Sequence, residues 1–293
     1  MLLRHLVSTW VRQAAHQKLR NTVADAANRR AGVGSGSEPT EPPPPAQVIC
    51  VFALSAEAGG LVDLLDGCVS SRCSTFVEHV GQLSGRRVAV IESGVGRALA
   101  ERATIDAIAL HRPSWVVSAG FAGSLHGDLR RGHILMPNEI TDTEDNRLKV
   151  GLKLEADTIA ASPGLHSGRL LTVDELIRTR AEKEHLGQAH HALGCDMETM
   201  AVAQACRDEK VRFLSVRVIS DSLDDELPKE IERLMDQKSL ASKLGAATGA
   251  VFNRPSSVKD MWQLKEQALK SSDRLGKFLT GTIAQLPVEE PSP

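Results

Sequence analysis

The chain has 293 residues, 42% hydrophobic and 25% charged, which fits one large α/β domain with extensions or two small domains. A formal net charge of −2 and an aromatic content of 3%, with no tyrosine, argue against a nucleic-acid partner. Five cysteines without a CxxC spacing and ten histidines without an HExxH motif predict reduced thiols in a cytoplasmic protein without a metal site.

The N-terminal residues 1–31 predict an amphipathic helix, because apolar residues recur there at helical spacing and basic residues outnumber acidic ones. Three interpretations stay open: a transit peptide, a helix on an anionic membrane surface, or a helix packed on the domain or on a second subunit. Residues 32–47 are rich in Gly, Ser and Pro and predict a linker. We expect a folded domain over residues 48–254 and a helical extension over residues 255–293.

Continuous apolar runs predict buried strands along the domain. They are VICVFAL (48–54), RVAVI (87–91), WVVSAG (115–120), HILMP (133–137), RLLTV (169–173) and VRFLSVRVIS (211–220). Helical patterns lie between them, from about Ala56, after Gly96 and from Glu198 to Arg207, and two more follow near residues 230–251 and 257–285. This alternation predicts an α/β fold with a mostly parallel sheet.

Ligands of such sheets bind beyond the carboxyl ends of the strands, and several polar or glycine-rich segments lie there. They are Glu57, the turn at residues 93–96 that contains Gly94, the segment 120–123, and Ser220 with Asp221. Each segment alone also fits a structural role, because glycines serve ordinary turns and aspartates cap helices. SGVGR (93–97) is neither a dinucleotide fingerprint nor a P-loop, and we expect no cofactor.

The combination of motifs is more specific than any one of them. VICVFALSAE, GVGRALAERAT, SAGFAGSL and DMETMAVAQACRDEKVRFLSVRVISD occur in this order. Together they resemble the nucleosidase/purine nucleoside phosphorylase superfamily, and within it the methylthioadenosine/S-adenosylhomocysteine nucleosidases. The resemblance implies a mixed, mostly parallel sheet, partly closed into a barrel and flanked by helices, in a homodimer. It also implies a hydrolase that cuts the N-glycosidic bond of adenine nucleosides.

The resemblance also implies roles for individual residues. Asp221 would protonate adenine at N7, Glu57 would activate the attacking water, and Glu198 would bind the ribose hydroxyls. The remaining substrate-binding positions would be Met197 beneath the sugar, Leu176 and Ile177 at the adenine edge, and Phe121, Ala122 and Gly123 along the pocket. Phe121 stands where that family tends to carry Ser, and Leu176 replaces a frequent aromatic. Ser220 and Gly94 would have supporting roles.

The assigned chemistry is reasonable in itself, because glycoside cleavage combines one acid that protonates the leaving group with one base that delivers water. Arg217 precedes Asp221 by four residues on one predicted strand, so the two should share a face. Arg217 would position Glu57 or form a structural ion pair, and both interpretations stay open.

Two other functions are alternatives. A phosphorylase, acting on a purine or a hopanoid-linked nucleoside, would need a phosphate site, and the phosphorylases of this superfamily place an Arg in the segment that reads SAGFAG here. A non-catalytic nucleoside-binding domain is the second alternative, which the joint presence of Glu57, Glu198 and Asp221 argues against.

Overall fold

A computed structural model describes residues 45–151, 154–227 and 255–287, with side chains of the last segment from residue 266 onward. The predicted N-terminal helix, most of the linker and the helical stretch near 230–251 lie outside the described residues. The described strands are β1 (Val48–Phe52), β2 (Asp66–Arg72), β3 (Val77–Leu83), β4 (Arg86–Glu92), β5 (Trp115–Ser124), β6 (Ile134–Leu135), β7 (Glu139–Asp142), β8 (Arg147–Lys149), β9 (Leu165–His166), β10 (Arg169–Thr172), β11 (Gly194–Asp196) and β12 (Arg212–Asp221).

The described helices lie between these strands and after them. They are α1 (Ser55–Val62), α2 (Arg97–His111), α3 (Ala156–Ala160), α4 (Arg180–His190), α5 (Thr199–Asp208) and α6 (Pro255–Gln285). Each strand predicted from an apolar run is present, within a few residues of its predicted bounds. The hairpin of β2 and β3 was not predicted, because β2 is exposed along its whole length and carries no apolar run.

The strands form one mixed sheet in the order β2-β3-β4-β1-β5-β11-β10-β7-β8, with β12 beside β5 and β6, and β9 beside β6. The neighbours β4, β1, β5 and β12 are parallel, as are β11, β10 and β7. The strand β5 is the branch point: it pairs with β1 over residues 115–118, with β12 from Trp115 to Gly123, and with β11 through Gly123 and Ser124. The carboxyl ends of β1, β5 and β12 therefore lie at one edge.

The helix α6 packs on the sheet and on α1. Its residues Leu275, Leu279 and Ile283 are fully buried in the same hydrophobic cluster as residues of β1, β5 and β12. The predicted C-terminal extension therefore contributes side chains to the core of the preceding domain. Hydrophobic burial of this kind is the main stabilising contribution to such a contact.

Two glycines let α1 and α6 approach each other closely. A Cβ atom on Gly60 would lie 2.2 Å from the carbonyl oxygen of Ser272, and one on Gly276 would lie 2.4 Å from the carbonyl oxygen of Gly60. The Ser272 hydroxyl reinforces the contact, since it accepts the N–H of Gly60 and donates to the carbonyl of Glu57. The helix that carries Glu57 is thus fixed against α6 by direct backbone contact.

Gly60→Ala is expected to force these two helices apart and to lower the free energy of unfolding by about 1–3 kcal/mol, as overpacking does in other cores. Gly59→Ala is the matched control on the same helix, because its Cβ would lie 3.9 Å from the nearest side-chain atom. Denaturant titration of both variants measures the difference. Equal stabilities would show that the close backbone contact does not constrain the helices.

Candidate active site

A cavity of about 310 Å³ lies at the carboxyl ends of the strands, beside α1, α5 and α6. Its volume is within the range of small-molecule sites. Ten of the predicted site residues line it: Glu57, Phe121, Ala122, Gly123, Leu176, Ile177, Met197, Glu198, Ser220 and Asp221. The other two, Gly94 and Arg217, are not among the lining residues. The cavity thus unites side chains from distant parts of the sequence.

Glu57 lies in the first turn of α1, where backbone N–H groups surround its carboxylate. Oε2 accepts the N–H groups of Ala53 and Leu54 at 3.1 and 3.0 Å, and Oε1 accepts the N–H of Phe121 at 2.8 Å. Burial raises the pKa of Glu57, although these hydrogen bonds and the charge of Arg217 act in the opposite direction. The carboxylate is therefore held by three hydrogen bonds, and its pKa lies above the usual range of a glutamate.

Glu198 immediately precedes α5 and is 8% exposed. Its Oε1 accepts the N–H of Gly96 at 2.8 Å, while Oε2 receives no hydrogen bond within the described part of the chain. Burial, together with the negative charges of Asp196 and Glu57, raises the pKa of Glu198 to about 8. Oε2 is therefore available to a polar group of a ligand in the cavity.

Gly94 and Gly96 shape the turn between β4 and α2. Gly94 has a φ of +90° and donates its N–H to the carbonyl of Ala53, which ties this turn to the segment before Glu57. Gly96 has a φ of +98°, a conformation that side chains disfavour, and it directs its N–H to Glu198. The turn is thus hydrogen-bonded both to Glu198 and to the segment before Glu57.

Arg217 is buried, and the alternative of a structural ion pair is present. Its Nη2 lies 2.8 Å from Oδ2 of Asp196 and donates to the hydroxyls of Ser118 and Thr199. The positioning role is also consistent with the geometry. A Cβ atom on residue 120 would lie 2.4 Å from Nη1 of Arg217 and 2.9 Å from Oε1 of Glu57. The absence of a side chain at Gly120 therefore permits these two groups to approach each other.

Asp221 ends β12 at an irregularity of the sheet. Ile219 pairs with Ala122 and Asp221 pairs with Gly123, so Ser220 is an extra residue in β12. The regular alternation that would place Arg217 and Asp221 on one face is interrupted at this point. The Ser220 hydroxyl donates to Oδ1 of Asp221 at 2.7 Å and contacts the carbonyl of Ala122 at 3.3 Å.

A lysine that the sequence analysis did not single out holds the other oxygen of Asp221. Nζ of Lys183, on α4, donates to Oδ2 of Asp221 at 2.6 Å. The Lys183 side chain is fully buried, and that of Asp221 is 8% exposed. No residue pattern in the sequence of α4 indicates this contact, because the helix is mostly polar.

The cations around the cavity already have acidic partners. Arg131 pairs with Asp225 at 2.9 Å and Lys183 with Asp221, in addition to the pair of Arg217. Arg97, in the first turn of α2, contacts Asp142 and Asp174 and the carbonyl of Thr172. The described residues contain no cluster of His, Cys, Asp and Glu that would hold a metal ion, and none of their helices is long and apolar enough to cross a membrane.

Residues 47–252, well over half of the chain, match the sequence model of the phosphorylase superfamily. The chain belongs to the phosphorylase superfamily. The resemblance that the sequence motifs indicate is therefore confirmed, and the predicted fold class is confirmed with it.

Individual relatives are distant in sequence. The 5′-methylthioadenosine/S-adenosylhomocysteine nucleosidase of Shewanella piezotolerans is 25% identical over 216 residues, which cover 66% of this chain and 94% of that protein. The crystal structure of the Helicobacter pylori enzyme of the same name has a TM-score of 0.63 and 19% identity, covering 83% of this chain and 100% of that one. Futalosine hydrolase of the same organism has a TM-score of 0.62 at 19% identity and covers 82% and 99%.

This member of the phosphorylase superfamily also lines its cavity with residues that the sequence analysis missed. Cys195 lies beside Asp221, and Gln267, Ala268 and Ser271 come from α6. Burial raises the pKa of the Cys195 thiol, so this group is neutral at physiological pH. The α6 residues could not be assigned from sequence, because they are distant from every motif and only the packing of α6 on α1 brings them to the site.

Glu198→Gln is expected to stabilise the protein at alkaline pH and not at acid pH. A carboxyl group whose folded pKa exceeds its unfolded value lowers stability once the pH passes the unfolded value, and the loss is complete above the folded value. For Glu198 this window runs from 4.5 to about 8. The variant should gain about 1–3 kcal/mol over the wild type at pH 9 relative to pH 4.5.

Denaturant titration at both pH values measures this gain. Glu175→Gln is the control, because Glu175 also lines the cavity but is exposed. A gain of equal size at both pH values, or the same gain in the control, would contradict the electrostatic explanation.

Proposed function

We propose that the protein hydrolyses the N-glycosidic bond of adenine nucleosides and releases adenine. Its substrates are 5′-methylthioadenosine, S-adenosylhomocysteine or related 5′-substituted adenosines. The observation that carries the proposal is the arrangement of Glu57, Glu198 and Asp221 around one small cavity, at the edge of the sheet where ligands of α/β folds bind. The names of the similar nucleosidases support the choice of substrate class.

Asp221 is the general acid in this proposal. Adenine is a poor leaving group until it is protonated, so a proton donor near N7 lowers the barrier to cleavage. Ser220 fixes Oδ1 of Asp221 at 2.7 Å, which orients the carboxyl group at the cavity wall. Leu176 and Ile177, which follow β10, line the same cavity and contact the purine edge.

Glu57 is the general base, and Glu198 binds the ribose hydroxyls through its free Oε2. The sugar acquires oxocarbenium character as the bond breaks, and carboxylates stabilise positive charge that develops near them. Met197 packs against the sugar, and Phe121, Ala122 and Gly123 form the wall of the cavity. Arg217 holds Glu57 in place as a positioning residue, beside its ion pair with Asp196.

Water is favoured over phosphate as the nucleophile because the site offers an anion few donors. The backbone N–H groups of Ala53, Leu54 and Phe121, which line the cavity, already donate to Glu57. Within the described ranges, Arg131, Lys183 and Arg217 at or behind the cavity wall are each paired with an aspartate. A phosphate would therefore meet carboxylates and paired cations, which disfavour its binding.

We also propose that the protein is a cytoplasmic homodimer whose residues 1–31 form a helix that contacts membrane surfaces peripherally. The basic, amphipathic composition of that segment supports the membrane contact. Sedimentation with vesicles of anionic phospholipid, compared between the full chain and a chain lacking residues 1–46, tests the contact. Equal binding of both forms would refute it, and a monomer in analytical ultracentrifugation would refute the dimer.

Product analysis with 5′-methylthioadenosine tests the reaction class. Free adenine and methylthioribose are expected in phosphate-free buffer, with no increase in rate when phosphate is added. Adenine release that depends on phosphate, with formation of a sugar 1-phosphate, would instead identify a phosphorylase. No adenine under either condition would favour the non-catalytic alternative.

Asp221→Asn is expected to lower kcat for 5′-methylthioadenosine by at least about 100-fold, because an amide cannot donate the acidic proton. Asp224→Asn, an exposed aspartate three residues away, is the matched control and should stay near wild type. Initial rates of adenine release measure both. Turnover of Asp221→Asn within threefold of wild type would remove the acid assignment, if the variant shows the wild-type unfolding transition.

A further inference from the structure

Lys183 is a buried cation without a role in the proposed reaction. Besides Oδ2 of Asp221 at 2.6 Å, its Nζ contacts the carbonyl oxygens of Ser222 at 2.9 Å and Asp225 at 2.8 Å. An ammonium group has three N–H donors, and here each has one acceptor. The geometry is therefore that of a charged ammonium group. One of its three N–H bonds is directed at Asp221, the proposed acid.

The position of Lys183 is costly for stability alone. The helix α4 begins with a capping box in which Thr179 and Glu182 exchange hydrogen bonds, so Lys183 lies in the first helical turn. A cation there faces the positive end of the helix dipole, and a buried ion pair gives little net stability. These costs suggest that Lys183 has a role beyond supporting the fold.

Among the residues that the structure describes, few other charged or titratable groups face the pair. Burial opposes the shift, but hydrogen bonds from the Ser222 N–H and from Arg131 lower the pKa of Asp225, which keeps that carboxylate ionised. Arg131 forms an ion pair with Asp225, and the Cys195 thiol, on β11, is neutral. The contact of Lys183 with Asp221 is therefore a buried ion pair in which the ammonium group donates to the carboxylate.

We propose that Lys183 supplies the proton that Asp221 delivers to the departing adenine. It acts through Asp221 and is therefore a positioning residue that also stores the proton. The inference deepens the proposed function and rests on it, because it concerns the acid half of that reaction.

An N–H bond of Lys183 breaks as its proton moves to Oδ2 of Asp221. The neutral carboxyl group passes the proton to N7 while the C1′–N9 bond breaks and its electron pair stays on adenine. Water forms the C1′–O bond and gives a proton to Glu57, which releases it to solvent. Lys183 takes up a proton from solvent through Asp221, which lines the open cavity.

Lys183→Met tests the inference through the pH profile of kcat for 5′-methylthioadenosine. Without the lysine, only a carboxyl group can hold the proton, and carboxyl groups lose it at lower pH than ammonium groups do. We expect kcat at about pH 7.5 to fall by at least about 100-fold and to recover toward about pH 5, so that the alkaline limb moves to lower pH. Lys183→Arg keeps the cation but not a transferable proton and should stay slow at every pH.

A second substrate separates this role from a structural one. In 4-nitrophenyl 5-deoxy-5-methylthio-β-D-ribofuranoside the leaving group departs without protonation, so Lys183→Met should hydrolyse it within about threefold of the wild-type rate. Arg180→Met is the matched control, because Arg180 is an exposed cation three residues earlier on α4. Thermal unfolding of all variants reports whether they fold.

Three outcomes would overturn the inference. The first is an alkaline limb of Lys183→Met that coincides with that of the wild type. The second is an equal loss on both substrates at every pH, which would identify a purely structural lysine. The third is a wild type that releases no adenine, which would instead show that the proposed function is wrong and remove the reaction on which the inference rests.

Discussion

The guanidinium group of Arg217 lies inside the molecule, where one cation serves three buried carboxylates. Its Nη2 atom lies 2.8 Å from Oδ2 of Asp196. Its positive charge also lowers the pKa values of Glu57 and Glu198, against the larger effect of burial. One positive charge cannot compensate three negative ones in a medium of low polarity. The consequence is that burial raises the pKa of Glu57, while burial together with repulsion from Asp196 and Glu57 raises the pKa of Glu198. The site therefore contains more negative than positive charge. Such an excess is expected where carboxylates stabilise a ligand that carries positive charge in its transition state.

Irregular features of the sheet and helices place these charges. Gly120 lets Arg217 approach Glu57, and the extra residue Ser220 changes the register just before Asp221. The close contact of Gly60 with α6 fixes the helix that carries Glu57. Regular strands supply the frame, because their parallel carboxyl ends meet at one edge, but the positions of the functional groups depend on departures from regularity. A site assembled in this way is sensitive to changes of a single atom at residues that never touch the ligand.

The sequence predicts the strands of the sheet better than the side-chain contacts of the site. Strands such as β1 and β12 are recognisable because both of their faces are buried, which leaves continuous apolar runs. The exposed β2 has no such run, and the three residues of β11 are too few for any periodicity. The candidate carboxylates could be found because they follow strands and motifs. Lys183 could not, because only the packing of α4 against the end of β12 reveals which of several polar residues on that helix is buried.

The two proposed catalytic carboxylates differ in what compensates their charge, and this difference supports the roles proposed for them. Glu57 is held by three backbone N–H groups, which cannot give up a proton and which favour its ionised form against burial. Asp221 is held by a serine hydroxyl and by an ammonium group, and the ammonium group can give up a proton. A base needs partners that stabilise the charge and never transfer a proton, whereas an acid benefits from a partner that renews its own. In the proposed reaction, two carboxyl groups of one cavity thus have opposite roles, since one accepts a proton and the other delivers one.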